Sequence, residues 1–465
     1  MFTEFFCDAA NGSNMNGGGV ADGSEPTAAA KYSATNGGWN SGTGVFTPTS
    51  GDPSASVSVG DWAHVFADGG TTPTFIARVT AVNSTTITVS TTAKSGTAPG
   101  TAGTGISINV GGRWKGPNGT SGFPFGFITN AQTDASGNLA RVNFKNNATY
   151  SVTAAMTHNL AGPAVFQGYT TTAGDGGKAT IDGGTSGASY TLLTASGNYN
   201  CYADLIFQNN GATGTGMGVN GSAGSSVNFE RCVFTGFRGE GLRSGNVWAS
   251  ECEFYACNAS NTATLGAVNV SGSGVFVRCV FHDNAGSNAN GAYVGGTMAT
   301  FIDCIFDTNG RYGIQVNTAN VVIVCAGCTF YGNATSGVNL AISATCVALF
   351  DSCLFVGNTT TGLAAGSGTA ARMVNCAFYN NGSATGGVGN VNASGAVTLT
   401  GDPFTGAAAG DFSLNNTAGA GAACRGAGRG SFTMAASGYG DAVSYPDIGA
   451  AEAQATAGGG GSKFF

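Results

Sequence analysis

Apolar and polar residues alternate in short bursts along this chain, and between Glu230 and Asn381 the bursts settle into one repeated phrase. Cys232-Val-Phe234, Cys252-Glu-Phe254, Cys279-Val-Phe281, Cys304-Ile-Phe306, Cys328-Thr-Phe330, Cys353-Leu-Phe355 and Cys376-Ala-Phe378 all read Cys-x-Phe, with 20, 27, 25, 24, 25 and 23 residues between successive cysteines. A period in the twenties with a strand-like signature predicts a solenoid, in which each coil buries its apolar face against its neighbours. Three positions after the Phe stands Asn in six coils: Asn210, Asn284, Asn309, Asn333, Asn358 and Asn381. Asn tolerates the left-handed backbone of a tight corner, and its amide can bond its copy one coil away. Glycine and a second short strand follow, as in Gly313-Ile-Gln-Val316 and Gly337-Val-Asn-Leu340, and a third strand such as Val275-Phe-Val277 leads into the next Cys. Three strands per coil with Asn and Gly corners specify a parallel β-helix. About ten coils from Arg141 to Leu399, each rising roughly 4.8 Å, predict a rod on the order of 50 Å.

The pattern before the repeat is different. Thr3–Cys7 reads as a first strand that starts or caps the solenoid, within a segment of residues 1–36. Val57–Val65, Thr74–Val82 and Thr85–Ser90 then alternate with period two, and Asn83-Ser84 marks a hairpin between the last pair. This predicts a small β-barrel or sandwich inserted at residues 37–105. His64 and Trp62 share one of its strands, and a lone His there is read as structural. Residues 106–400 form the β-helix, with Phe123-Pro-Phe-Gly-Phe-Ile128 expected to cap the open coil end, since an uncovered terminal coil is a sheet edge. Residues 401–452 are the closing segment. Residues 453–465 are a Gly-rich tail ending in Phe464 and Phe465, which are expected to dock on a partner subunit.

Composition narrows the function classes. With 42% apolar residues and 29 Phe there is material for a large core, so the 79 Gly read as turns rather than as disorder. Charged residues are only 9% of the chain, the net charge is −7, and no Lys lies between Lys178 and Lys463. A nucleic-acid partner needs a basic surface, so none is expected. The N-terminus has no basic segment followed by an apolar run, and no stretch approaches the ~20 apolar residues of a membrane span. A soluble chain without a cleavable signal and without membrane insertion is the expectation. Seven of the 13 Cys occupy one repeat position beside a buried Phe, which predicts a ladder of reduced thiols acting as small hydrophobes. Cys325-x-x-Cys328 has no second pair or His cluster, so no metal site is expected.

Chemistry is left to the outward positions. The residue before each Cys runs Arg231, Glu251, Arg278, Asp303, and this alternation of sign predicts ion pairs between coils. The residue after each Phe runs Thr235, Tyr255, His282, Asp307, Tyr331, Val356, Tyr379. Tyr255, His282, Asp307, Tyr331 and Tyr379, with Arg311 and Tyr312 nearby, make either a saccharide groove or a row of rings covering a corner. His282, Asp283, Asp307 and Arg311 form the one cluster suited to acid–base work. Two of Asp283, Asp303 and Asp307 on adjacent coils can approach the separation of about 5–9.5 Å that glycoside hydrolysis needs. The middle residue of Cys-x-Phe should face away from the core, yet it is Val233, Val280, Ile305 and Leu354 in four coils. An outward apolar row implies a cover, either residues 400–450 folding back or a neighbouring subunit.

These repeats resemble the right-handed parallel β-helix, or pectin-lyase-like, family. Gly401-Asp-Pro-Phe404, Gly410-Asp-Phe-Ser-Leu414 and Asp447-Ile-Gly-Ala450 with Glu452 are similar to the closing segment of such proteins. The resemblance spans residues 1–36 and 106–452 and implies a fold rather than an activity, because the scaffold hosts lyases, hydrolases, adhesins and viral spikes. Lyases of this family carry a denser acidic calcium site and an Arg or Lys base. The sparse carboxylates here do not match that pattern, and no cofactor is expected. The resulting expectation is a non-catalytic structural or adhesive protein at a virion or extracellular surface, such as a phage tail fibre, spike or capsid-surface component. Its expected partners are further copies, other virion or surface proteins, or a surface polysaccharide. The alternatives are a polysaccharide lyase or glycoside hydrolase on the same scaffold, and a bacterial cell-surface adhesin.

Overall fold

The computed structural model describes residues 2–68, 75–100, 104–116, 139–159, 164–196, 198–261, 265–340, 345–387, 389–425, 427–428 and 448–449. The chain is all-β, a parallel solenoid of about nine turns with a small barrel near its N-terminus. It divides into two compact units, Met1–Arg238 and Gly239–Phe465.

In the first unit the Phe2–Asp8 strand pairs in parallel with Leu139–Lys145, which pairs in turn with Ala164–Tyr169. The N-terminal strand is therefore a rung of the solenoid. Stacked aromatic rings fill the coils behind it, with Tyr202 lying 5.3 Å from Phe166 and 5.1 Å from Phe229. The inserted module is a closed antiparallel barrel of six strands, running from Tyr32–Asn40 to Ile106–Val110. Alternation along Trp62–Ala67 sends Ala63 and Val65 into the barrel core and leaves Trp62, His64 and Phe66 on the opposite face. Trp62 packs against Phe5 of the first rung at 4.9 Å, and Phe5 stacks on Trp114 at the same distance. Gly18, at φ +85°, has the Trp114 indole where a Cβ would stand, so no larger residue fits there. Arg113 bonds Asp8 at 2.7 Å and Glu25 at 3.0 Å, and Glu25 also takes Lys145 at 2.8 Å. These pairs fasten the segment returning from the barrel to the first coils. His64 is fully buried, and desolvation pushes its pKa down to about 4, so it is a neutral packing residue.

In the second unit Glu253–Tyr255, Val280–His282, Ile305–Asp307, Thr329–Tyr331, Leu354–Val356 and Ala377–Tyr379 stack in parallel and in register. Identical residues therefore meet. Phe254, Phe281, Phe306, Phe330, Phe355 and Phe378 stack face on face with centroids 4.6 to 5.2 Å apart. The Cys ladder is buried beside them, and Cys279, Cys304, Cys328, Cys353 and Cys376 each donate a weak Sγ bond to a carbonyl of the preceding coil at 3.4 to 3.6 Å. All thirteen cysteines are free thiols, as the ladder reading requires.

The Asn ladder is the most regular element. The Nδ2 of Asn284, Asn309, Asn333 and Asn358 each donates to Oδ1 of the next Asn at 2.8 to 2.9 Å. The same Nδ2 groups also reach a Phe carbonyl of the preceding coil at 3.0 to 3.3 Å. The left-handed corner falls one residue earlier than the sequence suggests, on Asp283, Thr308, Gly332, Gly357 and Asn380, with φ of 50°, 46°, 58°, 65° and 50°. A second left-handed corner precedes each Cys, at Arg231, Glu251, Arg278, Asp303, Gly327, Ser352 and Asn375. Of the ion pairs expected between these corners, Arg278 to Glu251 forms at 2.6 Å in the second unit, whereas Arg231 pairs at 2.7 Å with Asp204, a left-handed corner before Leu205, in the first.

The outward apolar row has its cover within the chain. Ile305, Leu354, Val356 and Ala377 form one buried cluster with Leu399, Phe404, Ala407, Phe412, Leu414, Cys424 and Ile448, and Val280 packs at its margin. Ile305 and Leu354 are thus buried beneath the chain's own closing segment, Val280 is half-buried at its margin, and Val233 is buried as well, at 6% exposure. Phe464 and Phe465, the Phe123–Ile128 cap and Glu452 lie outside the described residues.

Two measurements check this account. Asn333→Ala removes four side-chain hydrogen bonds and strands the amides on either side, so denaturant unfolding should show a loss of about 2–4 kcal/mol. Asn381→Ala, at the half-buried end of the ladder, should lose less. His64 binds its proton more weakly folded (about 4) than unfolded (6.5), so its contribution is complete above pH 6.5 and is lost as pH falls toward 4. Unfolding at pH 7, 5 and 4 should reveal on the order of 3 kcal/mol of loss that His64→Leu abolishes.

Candidate functional site

On each Cys-x-Phe strand the Phe points inward, so the residues flanking it point outward on the same face. In the coils that begin at Cys252, Cys279 and Cys304 these flanking positions carry Glu253, Tyr255, His282 and Asp307, and the corners that follow carry Asp283 and Thr308. Tyr255, His282 and Asp307 are direct ladder partners. His282 stacks on Tyr255 at 5.1 Å and 19°, so each ring spends one face on the other. The imidazole Nε2 lies 2.9 Å from Glu253 Oε1, and Nδ1 lies 2.8 Å from Asp283 Oδ2. Thr308 Oγ1 donates to Asp283 Oδ1 at 3.0 Å.

Three titrations follow from this geometry. Burial disfavours the His282 cation, but hydrogen bonds to Glu253 and Asp283 outweigh it and raise the pKa. Burial likewise opposes the Asp283 carboxylate, and hydrogen bonds from His282 and Thr308 hold its pKa below the usual range. Asp307 goes the other way. Burial, and then the Asp283 charge, push it up to about 6, and its Oδ1 is a buried oxygen without a hydrogen-bond partner. An imidazolium between two carboxylates thus sits beside a carboxyl that is protonated in mild acid. Such a set can grip hydroxyl groups, and it holds one proton donor and one carboxylate on adjacent coils.

The remaining candidate residues are not brought into this cluster. Tyr331 is half-buried and packs edge-on against Phe404 at 5.8 Å and Phe412 at 5.5 Å, and Tyr379 packs against the same closing cluster. The row after Phe is therefore not one continuous saccharide groove: it stops where the closing segment begins. Arg311 lies over the Tyr312 ring at 4.7 Å, and Tyr312 opens the next strand, in register with Ser336 rather than with the Cys-x-Phe row. Two participants lie outside the residues that the repeat pattern singles out. Glu253 had a visible signal as the one charged middle residue among the Cys-x-Phe repeats, whereas Thr308 acquires its place only from the left-handed corner it occupies. Among the described residues no group of three or more His, Cys, Asp or Glu is placed to hold a metal ion. No helix among them is long and apolar enough to cross a membrane.

Residues 266–426 match the family model described as the right handed beta helix region. The solved structure of pectate lyase Pel9A aligns with a TM-score of 0.52 and 14% identity, over 73% of this chain and 97% of that one. The tailspike protein of an Acinetobacter phage aligns at a TM-score of 0.38 and 12% identity, over 56% of this chain and 55% of its own. A protein of Geobacillus virus E2 gives a TM-score of 0.33 and 15% identity, over 57% and 53%. No curated protein sequence matches. The first of these shares the fold, and the other two are too distant to add to it. The repeat ladders, the family model and the shared architecture together make the body of this chain a right-handed parallel β-helix.

Proposed function

We propose that this chain is a non-catalytic β-helix protein of a virion or extracellular surface, and that it binds a polyhydroxylated saccharide on the strip formed by Glu253, Tyr255, His282, Asp283 and Asp307. The observation that carries the reading is the buried, unpartnered Oδ1 of Asp307 beside the hydrogen-bonded His282–Asp283 pair. It is a polar group with unspent bonding capacity, next to an aromatic ring, on the stretch of the face beyond the closing segment's contact with Tyr331. Sugar hydroxyls supply both donors and acceptors, which suits a site that mixes a carboxyl, a carboxylate and an imidazole. The surface location rests on the build of the chain, in which neutral Asn, Phe and Cys ladders carry the fold and charged residues are only 9%.

A second reading is favoured by one feature. Asp307 held near 6 and Asp283 held ionised, on neighbouring coils, are the two protonation states that glycoside hydrolysis by general acid–base catalysis requires.

A panel of capsular and plant polysaccharides distinguishes these readings when retention and cleavage are followed together. The expected result is retention of at least one polysaccharide without new reducing ends, weakened about tenfold in Tyr255→Ala and in Asp307→Ala. Reducing ends or unsaturated products that disappear in Asp283→Ala would establish catalysis instead. Failure of every polysaccharide to bind would remove both readings.

Asp307 also has a thermodynamic signature. Its folded pKa of about 6 exceeds the ordinary 3.8, so ionisation costs stability as pH rises past 4, and the whole cost is present above 6. Asp307→Asn should therefore raise the melting temperature at pH 8 and not at pH 4. The gain should be about 1–2 kcal/mol after allowance for partial solvent screening. An equal gain at both pH values would point to packing rather than charge.

A further inference from the structure

Of the large apolar side chains that stand exposed among the described residues, four share one sheet face of the second unit: Trp248 at 51%, Met298 at 39%, Val322 at 40% and Val347 at 59%. Strand register sets them in two adjacent rows. Met298, Val322 and Val347 are ladder partners on successive coils. Two positions further along the strands, Trp248, Val275, Thr300, Val324, Leu349 and Arg372 form the second row. Neither row contains a charged residue between Trp248 and Arg372, and Arg372 is itself exposed. The outer face of the Cys-x-Phe sheet, by contrast, is covered by the closing segment over Ile305, Tyr331, Leu354, Val356 and Ala377.

We infer that this face is the docking surface for a second copy of the chain, related by a two-fold axis that runs along the strands. That operation reverses the order of the coils while keeping each row opposite itself. Trp248 then meets Arg372 of the partner subunit at both ends, and Val275 meets Leu349 of the partner subunit. Met298 meets Val322 of the partner subunit at the centre. Residue i contacts j and j contacts i, as a closed isologous interface demands. The exposed Trp and the exposed Arg are matched as a cation–π pair, and neither of the two rows carries a carboxylate to compete for the Arg; Asp351, in the next row of the same face, is buried. A chain of net charge −7 meets its own copy best along rows that carry no acidic groups. The strip offers on the order of 400–500 Å² of contiguous apolar surface, the size of the largest patch on a typical monomer, which is often functional. Two strips with their rims bury about 1,000–1,200 Å², the lower bound for a specific protein interface.

The inference stands apart from the saccharide strip, which lies on another sheet. Solution mass over a concentration series tests it, with the full chain throughout. The expected result is a dimer that dissociates on dilution. Val322→Asp should weaken it at least about tenfold without changing the melting temperature at concentrations where the chain is monomeric, because the side chain faces solvent in the single chain. Trp248→Ala and Arg372→Ala should each weaken it several-fold, and the double variant no more than the stronger single one. A monomer at every concentration, a three-copy mass, or a dimer indifferent to Val322→Asp would overturn it. So would full additivity of the Trp248 and Arg372 variants, which would mean that the two residues never meet.

Discussion

The second unit depends on one constraint: a parallel, in-register sheet places every side chain against its own copy, about 4.8 Å away. Few residue types are comfortable that close to themselves. A primary amide is, because it donates on one side and accepts on the other, and the Asn284-to-Asn381 ladder uses that property at every step. A flat ring is as well, which explains the Phe stack from Phe254 to Phe378. Thiols fill the space between these columns with little polar cost. Charges tolerate such stacking only with alternating sign, and the Glu251–Arg278 corner pair obeys that rule.

The same constraint explains why the candidate site is where it is. Outward positions on the Cys-x-Phe face also stack on their copies, so an ordinary coil places there an apolar or small residue that the closing segment can cover. Glu253, His282 and Asp307 break that pattern on three successive coils. His282 resolves the conflict between Glu253 and Asp283 by standing between them, whereas Asp307 is left with a buried oxygen and a raised pKa. Local cost of this kind, at positions where the repeat offers cheaper residues, is characteristic of function.

How much could be read from the chain follows from what repeats. The Cys, Phe and Asn columns are legible because stacking forces the same residue to recur, and seven of the thirteen free thiols follow from one shared inner position. The barrel was legible from its period-two alternation, although its outermost strands reach Tyr32 and Val110, where the solenoid and barrel patterns are both strand-like. The recurring Asn points to a corner one residue late, whereas the left-handed position itself tolerates Asp283, Thr308, Gly332, Gly357 and Asn380 alike and so leaves no repeated letter. Between a saccharide groove and a row of covering rings the Tyr row alone does not decide, because nothing in the repeat marks where Phe404 and Phe412 come to rest. That contact joins residues some eighty positions apart and withdraws Tyr331 from the surface.

The two outward apolar faces finally bear on each other. A β-helix cannot bury both sides of its sheets within its own coils, so each outward apolar row needs a cover or a compensating polar neighbour. On the Cys-x-Phe face the chain supplies its own cover, and Ile305, Leu354 and Ala377 become core. On the face of Met298, Val322 and Val347 the row is just as regular, but its residues stay exposed. Ladder formation alone does not account for it, since Thr and Asn serve equally well at the flanking outward positions Thr300 and Asn392. A row kept apolar over three coils, beside a second row that runs from an exposed Trp to an exposed Arg, has the composition of an interface rather than of a solvated sheet.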